Sequence, residues 1–213
     1  MELPDLAGCV PAAPEQIHWI TDARELDAWL EKHAGELLAL DTEFERVSTF
    51  YPIPGLVQLG FGSDYCLVDP SVAEASEGFR RVLEDPARTK LLYAMSEDLE
   101  LFRHWLGVQP AGMLDLQIGS AMAGAGFSVG YAKLVERLFG EALDKSASRS
   151  DWLSRPLSEA QQRYALDDVR FLEPMYNWVR EALEEKDLAD AMAEESERFA
   201  RELAANDDPD MHY

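Results

Sequence analysis

The sequence predicts an α/β fold in which helices flank a mixed central sheet, antiparallel at its start and then parallel. Two strand patterns, residues 55–61 and 65–68, follow each other across a tight turn, which is typical of antiparallel pairing. From residue 79 onward helical and strand patterns alternate, which favours parallel strands joined by helices. The chain has 213 residues, 47% hydrophobic and 28% charged, enough for one large domain with a substantial core.

The first elements are a helix and a buried strand. Asp22 and Glu25 have the spacing of a capping box and lead into apolar residues at helical intervals. Residues 37–41 form a short apolar run that ends in Asp41, as in a strand buried on both faces. We therefore expect a helix followed by a central strand that ends in an acid.

The middle of the chain alternates in pattern. Apolar spacing predicts helices over residues 79–83 and 97–105, with a strand over 90–95 between them. Residues 124–130 are rich in small side chains and residues 144–156 are polar, so both are predicted loops.

The last predicted elements are helical. Ser158 and Gln161 form a second capping box, which opens a helix that runs toward Arg180 and should kink at Pro174. The acidic stretch that follows has apolar residues at helical spacing, so it could pack on its own domain or against a second subunit. We therefore divide the chain into a domain over residues 1–179 and an acidic helix and tail over 180–213.

The charge is strongly acidic, with 41 acidic and 19 basic residues and a net charge of −22. Residues 180–213 hold 12 acidic and 4 basic residues, so residues 1–179 still carry 29 acidic against 15 basic. Proteins that hold long nucleic acids usually carry a broad basic face. The balance predicts weak binding along long nucleic acids; increased solubility explains the same charge equally well.

Several features favour the cytoplasm. The longest apolar runs are far shorter than the ~20 residues that a membrane span needs. The first residues lack the basic start and apolar stretch of a secretory signal. The two cysteines, Cys9 and Cys66, are far apart and in no metal-binding spacing, which argues against a disulfide scaffold. We therefore expect a cytoplasmic protein without membrane contact.

Two acids stand at the end of the first buried strand. Asp41 and Glu43 are two residues apart, so in a strand both side chains face the same side. Two carboxylates held together repel unless a cation binds both, and oxygen ligands of this type select Mg²⁺ or Mn²⁺. Taken alone, such a pair is more often a solvated strand end than a metal site.

Further acids follow later elements. Asp98 comes directly after a predicted strand, although an acid there also favours the start of a helix. Tyr164 and Asp168 share one helix face at i and i+4, a spacing that core packing also produces. Together with Asp41 and Glu43, these residues provide the side chains that a phosphodiester hydrolase with two metal ions requires.

At these residues the chain resembles the DEDD exonuclease superfamily, and most closely the catalytic domain of bacterial ribonuclease D. The resemblance extends over residues 37–179 in five segments that occur in the family's order. These segments are 41–44 continuing through 49–52 and 56–58, then 96–100, then 144–146, then 150–157, and finally 164–168. The last segment has the tyrosine form of the third motif.

The resemblance implies a ribonuclease H-like fold and a 3′-5′ exoribonuclease that uses two Mg²⁺ or Mn²⁺ ions and releases 5′-mononucleotides. It assigns Asp41, Glu43 and Asp168 to one metal, with Asp41 bridging to a second metal that Asp98 reaches directly or through water. It also selects Asp168 over its neighbour Asp167. It gives Tyr164 the role of orienting the attacking water. Substrate contacts are implied for Phe44, Gln58 and Lys145, whereas Asp115 is interpreted as structural.

The chain departs from the family at two points. Tyr93 stands where the family commonly has histidine, which leaves substrate contacts there open. The C-terminal helical domains with which ribonuclease D helps to hold RNA have no counterpart in residues 180–213. We therefore expect no separate RNA-binding domain, as in the short relatives called nanoribonucleases, which degrade RNA dinucleotides.

Four functions follow from these observations. The first is degradation of short RNA from its 3′ end. The second is ribonuclease D-like trimming of structured RNA ends, with Lys145, Arg149 and Arg155 as the RNA rim. The third is an inactive nucleic-acid-binding module, and the fourth is a phosphatase with Asp41 as nucleophile, which leaves Asp98, Tyr164 and Asp168 without roles. The sequence leaves DNA cleavage, the preferred metal and the oligomeric state open.

Overall fold

A computed structural model describes residues 2–207 as a six-stranded sheet with helices on both faces. The strands are β1 (His18–Ile20), β2 (Leu38–Glu45), β3 (Ile53–Phe61), β4 (Asp64–Val68), β5 (Lys90–Leu92) and β6 (Met113–Asp115). The helices in this part of the chain are α1 (Ala23–Lys32), α2 (Pro70–Ala75), α3 (Glu77–Glu84), α4 (Ser96–Leu106), α5 (Leu116–Ala123), α6 (Tyr131–Phe139), α7 (Glu159–Arg170), α8 (Leu172–Glu184) and α9 (Ala191–Asn206).

The sheet is mixed, with the strand order β1-β4-β3-β2-β5-β6. β2, β3 and β4 form the antiparallel meander, whereas β5 adds to β2 in parallel and β6 adds to β5 in parallel. The predicted α/β class with an antiparallel start and a parallel continuation is confirmed. The edge strands β1 and β6 were not predicted, because three residues are too few to show alternation.

The core lies on both faces of the sheet, and residue alternation in β2 divides it. Leu38 and Leu40 pack with α1, α3 and α4 on one face. Ala39, between them, points to the other face and packs with residues of α5 to α8. Because β2 is buried on both faces, its apolar run is continuous rather than alternating.

One predicted detail near β5 is wrong. The predicted strand over 90–95 ends at Leu92, because the chain turns sharply at Ala94, which has a positive φ of 55°. Ser96 is the first residue of α4, and the cap position is Met95, which makes no side-chain capping bond. The turn carries the chain from the end of β5 directly into α4.

The helix is interrupted just before Pro174, where the sequence predicts a kink. Ser158 and Gln161 make the reciprocal capping box at the start of α7, as predicted. The helix breaks at Phe171, and Pro174 lies in the first turn of α8. A proline ring clashes with the carbonyl four residues earlier, which here belongs to Arg170, the last residue of α7.

The C-terminal acidic stretch packs on this same domain. The boundary placed after residue 179 falls within α8, and the stretch forms two helices rather than one. Met192 of α9 is buried in one core cluster and Phe199 packs against the other. Residues 208–213 of the predicted tail lie outside the described residues, and within residues 2–207 no helix is long and apolar enough to cross a membrane.

Candidate active site

Three carboxylates from two elements meet beside the middle of the sheet. Asp41 and Glu43 project from the same side of β2, and Asp168 approaches from α7, which packs against β2 and β3. One oxygen from each of the three lies within 4.8 Å of the others. Asp167 points away and accepts a 3.1 Å hydrogen bond from Arg170, so helix geometry separates the two neighbouring aspartates.

Gln58 holds the two β2 carboxylates in place. It lies directly opposite Asp41 in β3, and its Nε2 donates to Asp41 Oδ2 at 3.0 Å and to Glu43 Oε1 at 3.4 Å. The side chain has no exposed area. A direct contact with substrate, which the resemblance implied for Gln58, therefore does not fit its position; the amide instead offsets part of the charge of the two acids.

The end of β2 bends away immediately after these acids. The register between β2 and β3 shifts between Glu43 and Phe44, which marks a β-bulge. Bulges re-aim the side chains that follow them and are frequent beside active sites. Phe44 lines the same open cleft as Asp41 and Asp168, and it is part-exposed, as a stacking contact with a base requires.

Asp98 is held on the other side of the cleft, in the first turn of α4. It lines the cleft with the three other acids but is not one of the compact group. Thr42, which alternates between Asp41 and Glu43, donates its hydroxyl proton to Asp98 Oδ1 at 2.5 Å. This bond ties the fourth acid to the strand that carries the first two.

Burial raises the pKa of all four acids. Burial raises the pKa of Asp41 and Asp168 well above the ordinary value, and the charges of the neighbouring acids add to the effect. Burial and the charge of Asp41 raise the pKa of Glu43 to about 9. Burial raises the pKa of Asp98 to about 7, against the opposing hydrogen bond from Thr42. Without a cation, the cluster therefore retains protons at neutral pH.

This donor set fits divalent metal ions. The partly buried carboxylates of Asp41, Glu43 and Asp168 and the buried one of Asp98 offer hard oxygen ligands, the kind that Mg²⁺ and Mn²⁺ prefer. No arginine or lysine bonds to these acids among the described residues, and the amide of Gln58 carries no charge. A cation would replace the retained protons and remove the repulsion, which is the physical reason to place a metal centre here.

Tyr164 stands one turn before Asp168 on the same face of α7 and lines the cleft. Its ring packs against Trp152, with ring centroids 5.9 Å apart. Burial, followed by the charges of Asp168, Glu43 and Asp41, raises the pKa of its hydroxyl above the ordinary value of 10. The hydroxyl is therefore a proton donor at neutral pH and not a base in the metal-free protein.

The three residues of the predicted basic rim differ in their surroundings: Lys145 and Arg149 are exposed, whereas Arg155 bonds to other parts of the fold. Lys145 is exposed and lines a groove next to Tyr164 and Asp168. Arg149 is exposed as well. Arg155 is engaged in the fold: its Nε donates to Asp69 at 2.6 Å and its Nη2 donates to the Gly55 carbonyl at 2.6 Å. Arg155 is therefore a structural residue rather than part of an RNA rim.

Thr42 and Tyr131 were not singled out in the sequence, and the role of Tyr93 was left open. Thr42 supports Asp98, and Tyr131 donates to the carbonyl of Asp167 at 2.6 Å, beside Asp168. Tyr93, in place of the family histidine, donates to the carbonyl of Val129 at 2.5 Å. Only Thr42 had a local signal, its place between two acids; the tyrosine contacts depend on chain segments far apart in sequence.

Comparison with known proteins shows the family to which the chain belongs. The sequence matches a family described as 3′-5′ exonuclease over residues 17–184. Ribonuclease D of Shewanella sp. (strain ANA-3) is 39% identical over 196 residues, which cover 92% of this chain and 50% of that protein.

Two solved structures share the fold. The crystal structure of Escherichia coli RNase D, described as an exoribonuclease involved in structured RNA processing, superposes with a TM-score of 0.81 at 38% identity, over 88% of this chain and 50% of that one. Brucella melitensis NrnC, solved bound to pGG, matches with a TM-score of 0.73 at 20% identity, over 93% and 94% of the two chains. The chain thus spans about half the length of the ribonuclease D proteins that it matches.

Proposed function

Because the chain belongs to the 3′-5′ exonuclease family, we propose that it hydrolyses RNA one nucleotide at a time from the 3′ end. The observation that carries the proposal is the partly buried group of Asp41, Glu43 and Asp168, with oxygens within 4.8 Å of one another and pKa values raised by loss of hydration and by neighbouring negative charges. A fold that only bound nucleic acid would gain nothing from burying like charges together.

The chemistry follows from what these residues would hold. Two Mg²⁺ or Mn²⁺ ions, when bound, would activate a water and stabilise the leaving 3′ oxygen. Asp41, Glu43 and Asp168 would hold one ion, and Asp98, fixed by Thr42, would serve the second. Gln58 keeps the β2 carboxylates from separating.

The remaining cleft residues would position the substrate. Tyr164 presents a protonated hydroxyl beside Asp168, suited to orienting the attacking water by a hydrogen bond. Phe44 would stack on the terminal base, a contact that tolerates every base. Lys145 lies within the adjoining groove, where its ammonium group would meet a phosphate of the substrate.

We further propose that the preferred substrates are short RNA oligonucleotides or dinucleotides. The support is charge: residues 1–179 alone carry 29 acidic against 15 basic residues. Among the basic residues of the cleft segments, Arg46 is paired with Glu100 and Arg155 with Asp69. Lys145 lines the groove beside the cleft, and Arg149 and Arg163 are exposed, so few cations remain for phosphates. A long strand would meet repulsion beyond the first few nucleotides.

A second candidate is trimming of structured RNA 3′ ends. The observation in its favour is the 38% identity to Escherichia coli RNase D, which is described as processing structured RNA. On that reading Lys145 and Arg149 would contact the RNA outside the cleft. Neutralising both should then weaken cleavage of long RNA far more than cleavage of a dinucleotide.

We also propose that the protein acts in the cytoplasm. The support is that Cys9 and Cys66 are both free thiols, one exposed and one buried, as expected in a reducing compartment. Activity in a cytoplasmic fraction, lost when the protein is absent, would test this placement.

The test is cleavage of RNAs of two, seven and about twenty-four nucleotides at physiological ionic strength, since binding to phosphates depends on salt. Rapid loss of the dinucleotide with slow attack on the longest RNA supports the short-RNA proposal. Efficient stepwise shortening of the longest RNA supports the trimming role instead. No cleavage with either metal would reject an exonuclease and leave a binding module to be tested.

A further inference from the structure

Asp115 is a buried acid to which the proposed chemistry gives no role. It is the last residue of β6 and is only 1% exposed. Strands β5 and β6 are parallel neighbours with Leu92 opposite Asp115, so their carboxyl ends lie side by side. Asp115 therefore lies next to the turn that leads from β5 into α4.

The two carboxyl oxygens of Asp115 bond to that turn. Ala94 donates its N–H to Oδ1 at 2.9 Å, and Met95 donates its N–H to Oδ2 at 3.1 Å. Oδ1 also accepts the N–H of Gln117 at 2.9 Å, so Asp115 is at the same time the N-cap of α5. One side chain thus joins the turn before α4 to the first turn of α5.

The turn needs bonds from outside because its backbone is strained. Ala94 has a φ of 55°, in the left-handed region that a residue with a Cβ atom rarely adopts. Such conformations persist only where the surrounding contacts impose them. Before Ala94, the hydroxyl of Tyr93 donates to the Val129 carbonyl at 2.5 Å, and Asp115 holds the two N–H groups that follow Tyr93. The turn is therefore fixed at both of its ends.

This turn forms part of the cleft wall and leads directly to Asp98. Tyr93 and Ala94 line the cleft together with Asp98. Met95 is the cap position of α4, and its carbonyl accepts the N–H of Leu99 at 3.0 Å in the first turn of that helix. Asp98 lies in the same turn of the helix. A shift of Met95 therefore moves the acid that would serve the second metal ion.

Resting on the proposed function, we infer that Asp115 is a positioning residue, which fixes Asp98 for the second metal ion by holding the turn over residues 93–95. Within residues 2–207, the side chains that line the cleft do not include Asp115, so it acts through the backbone that it holds. Thr42 holds the carboxyl group of Asp98, whereas Asp115 holds the main chain from which that group projects. The sequence predicted only a structural role for Asp115.

Asp115→Asn tests the inference with little change to α5. Asparagine is as good an N-cap as aspartate, and its single oxygen can still accept from Ala94 and Gln117. Its Nδ2 then takes the place of the oxygen that accepted from Met95, so two donors face each other. In the metal-free protein, hydrogen exchange at the amides of residues 94 and 95, resolved by NMR, should be faster than in wild type by about tenfold or more.

Kinetics on an RNA trinucleotide measures the consequence for the site. In Asp115→Asn, kcat should fall by about 10- to 100-fold and the Mn²⁺ concentration for half-maximal rate should rise by about tenfold, because side chains that hold a metal ligand have effects of this size. The KM for RNA should change by less than about threefold. Asp98→Asn shows how the Mn²⁺ requirement changes when the ligand itself is removed, and Asp115→Asn should change it in the same direction.

Ser196→Ala is the matched structural control. The Ser196 hydroxyl oxygen is buried and accepts the main-chain N–H of Asp115 at 3.0 Å, but it does not touch the turn over residues 93–95. Its loss should lower the melting temperature and leave kcat and the Mn²⁺ requirement unchanged. A Ser196→Ala protein that loses as much kcat as Asp115→Asn would overturn the inference, because Asp115 would then only stabilise the fold.

Ala94→Gly tests the strain in the turn. Glycine adopts a positive φ without steric cost, so adding Ala94→Gly to Asp115→Asn should restore kcat by about fivefold or more. The same substitution should help the Asp115→Asn protein more than it helps wild type. Unchanged exchange at residues 94 and 95 in Asp115→Asn, or a wild-type kcat and Mn²⁺ requirement, would overturn the inference.

Two further outcomes are separable. If Asp115→Asn does not fold, Ala94→Val disturbs the same turn, since a β-branched residue is disfavoured at this φ; its Mn²⁺ requirement should rise, and a wild-type value would overturn the inference. If wild type cleaves no RNA, the exonuclease proposal fails. Calorimetric titration of wild type, Asp98→Asn and Asp115→Asn with Mn²⁺ then decides the inference: weaker binding by both variants supports it, whereas wild-type binding by Asp115→Asn, or no binding by wild type, overturns it.

Discussion

Two acidic regions of this protein show how differently the same residue type behaves. On α9 the acids are exposed and paired within the helix: Arg198 contacts Glu195 and Glu202, and Arg201 contacts Glu197. In the cleft, Asp41 and Glu43 are packed against each other and against Asp168, with no cationic side chain bonded to them. The two regions do not differ in the kind of charge that they carry. They differ because the cleft acids are less exposed and have no cationic side chain bonded to them.

The difference teaches where function is to be sought in an acidic chain. Exposed pairs on a helix contribute little, because water and salt already screen them. Buried like charges are costly unless something binds between them, so a fold keeps them only where binding or catalysis requires it. The comparison predicts that substitutions in the cleft act on catalysis and metal binding, whereas those on α9 act on neither.

The largest expected effect comes from Glu43→Gln. The substitution keeps the shape of the side chain but removes a charged ligand, so kcat on RNA should fall by about 10³-fold or more. Glu197→Gln on α9 is the matched control and should retain wild-type activity. Equal activity of the two variants would remove the distinction between the regions.

Next in size is Tyr164→Phe. Loss of the hydroxyl removes a hydrogen bond to the attacking water, so kcat should fall by about 10²-fold, while KM and the melting temperature stay near their wild-type values. Steady-state kinetics on a short RNA provides the measurement. A variant as fast as wild type would show that the phenol only packs on Trp152.

The third prediction concerns stability. The pKa of Glu43 is raised from 4.5 to about 9, so between these values the folded metal-free chain holds a proton that the unfolded chain has released. Its free energy of unfolding should therefore fall as pH rises through this window. Mn²⁺ replaces protons, so the rise in melting temperature on adding it should be larger at pH 8 than at pH 5.5, by about 2–8 °C.

Thermal melts at the two pH values, with and without Mn²⁺, measure this effect. Asp41→Asn is the control: it should lose most of the metal-dependent rise while the metal-free protein melts at or above the wild-type temperature, because one repelling charge is gone. A rise in melting temperature that is the same at both pH values, or that persists in Asp41→Asn, would place the metal elsewhere.

A smaller effect is expected for Lys145→Ala. Lys145 is exposed in the groove beside Asp168, so it offers one phosphate contact without a role in the chemistry. KM should rise by about 3- to 10-fold at low salt, and the difference should shrink as salt increases. A loss in kcat instead would mean that the lysine acts on the reacting phosphate.

The smallest effect is expected on α9. Arg198→Ala removes two exposed ion pairs, so the melting temperature should change by less than about 2 °C and RNA cleavage should not change. A large fall in melting temperature would show that the ion pairs of α9 hold this helix on the core. The acids of α9 and of the cleft would then differ only in their effect on catalysis.

Much of the site was predictable because its determinants are local. Alternation in a strand placed Asp41 and Glu43 on one side, and helix spacing placed Tyr164 one turn from Asp168. The family resemblance selected Asp168 rather than Asp167 as the third acid. The structure agrees with this choice, because Asp167 points toward Arg170 and away from the cleft. The mixed sheet followed from its tight early turns and the later alternation of patterns.

The rest depends on contacts that a linear pattern does not contain. The resemblance implied a substrate contact for Gln58, yet cross-strand pairing with Asp41 buries its side chain beside the acids. Arg155 lies in a basic loop, but long-range bonds to Asp69 and Gly55 remove it from the surface role.

The central claim is that the cleft carboxylates act through divalent metal ions to remove nucleotides from the 3′ end. The most direct measurement is a time course on a 5′-labelled RNA of seven nucleotides, with metal-depleted wild type and Asp41→Asn, before and after addition of Mn²⁺ or Mg²⁺. We expect a ladder that shortens by one nucleotide at a time only for wild type with metal. Equal cleavage by Asp41→Asn, or cleavage by wild type in the presence of EDTA, would contradict the claim.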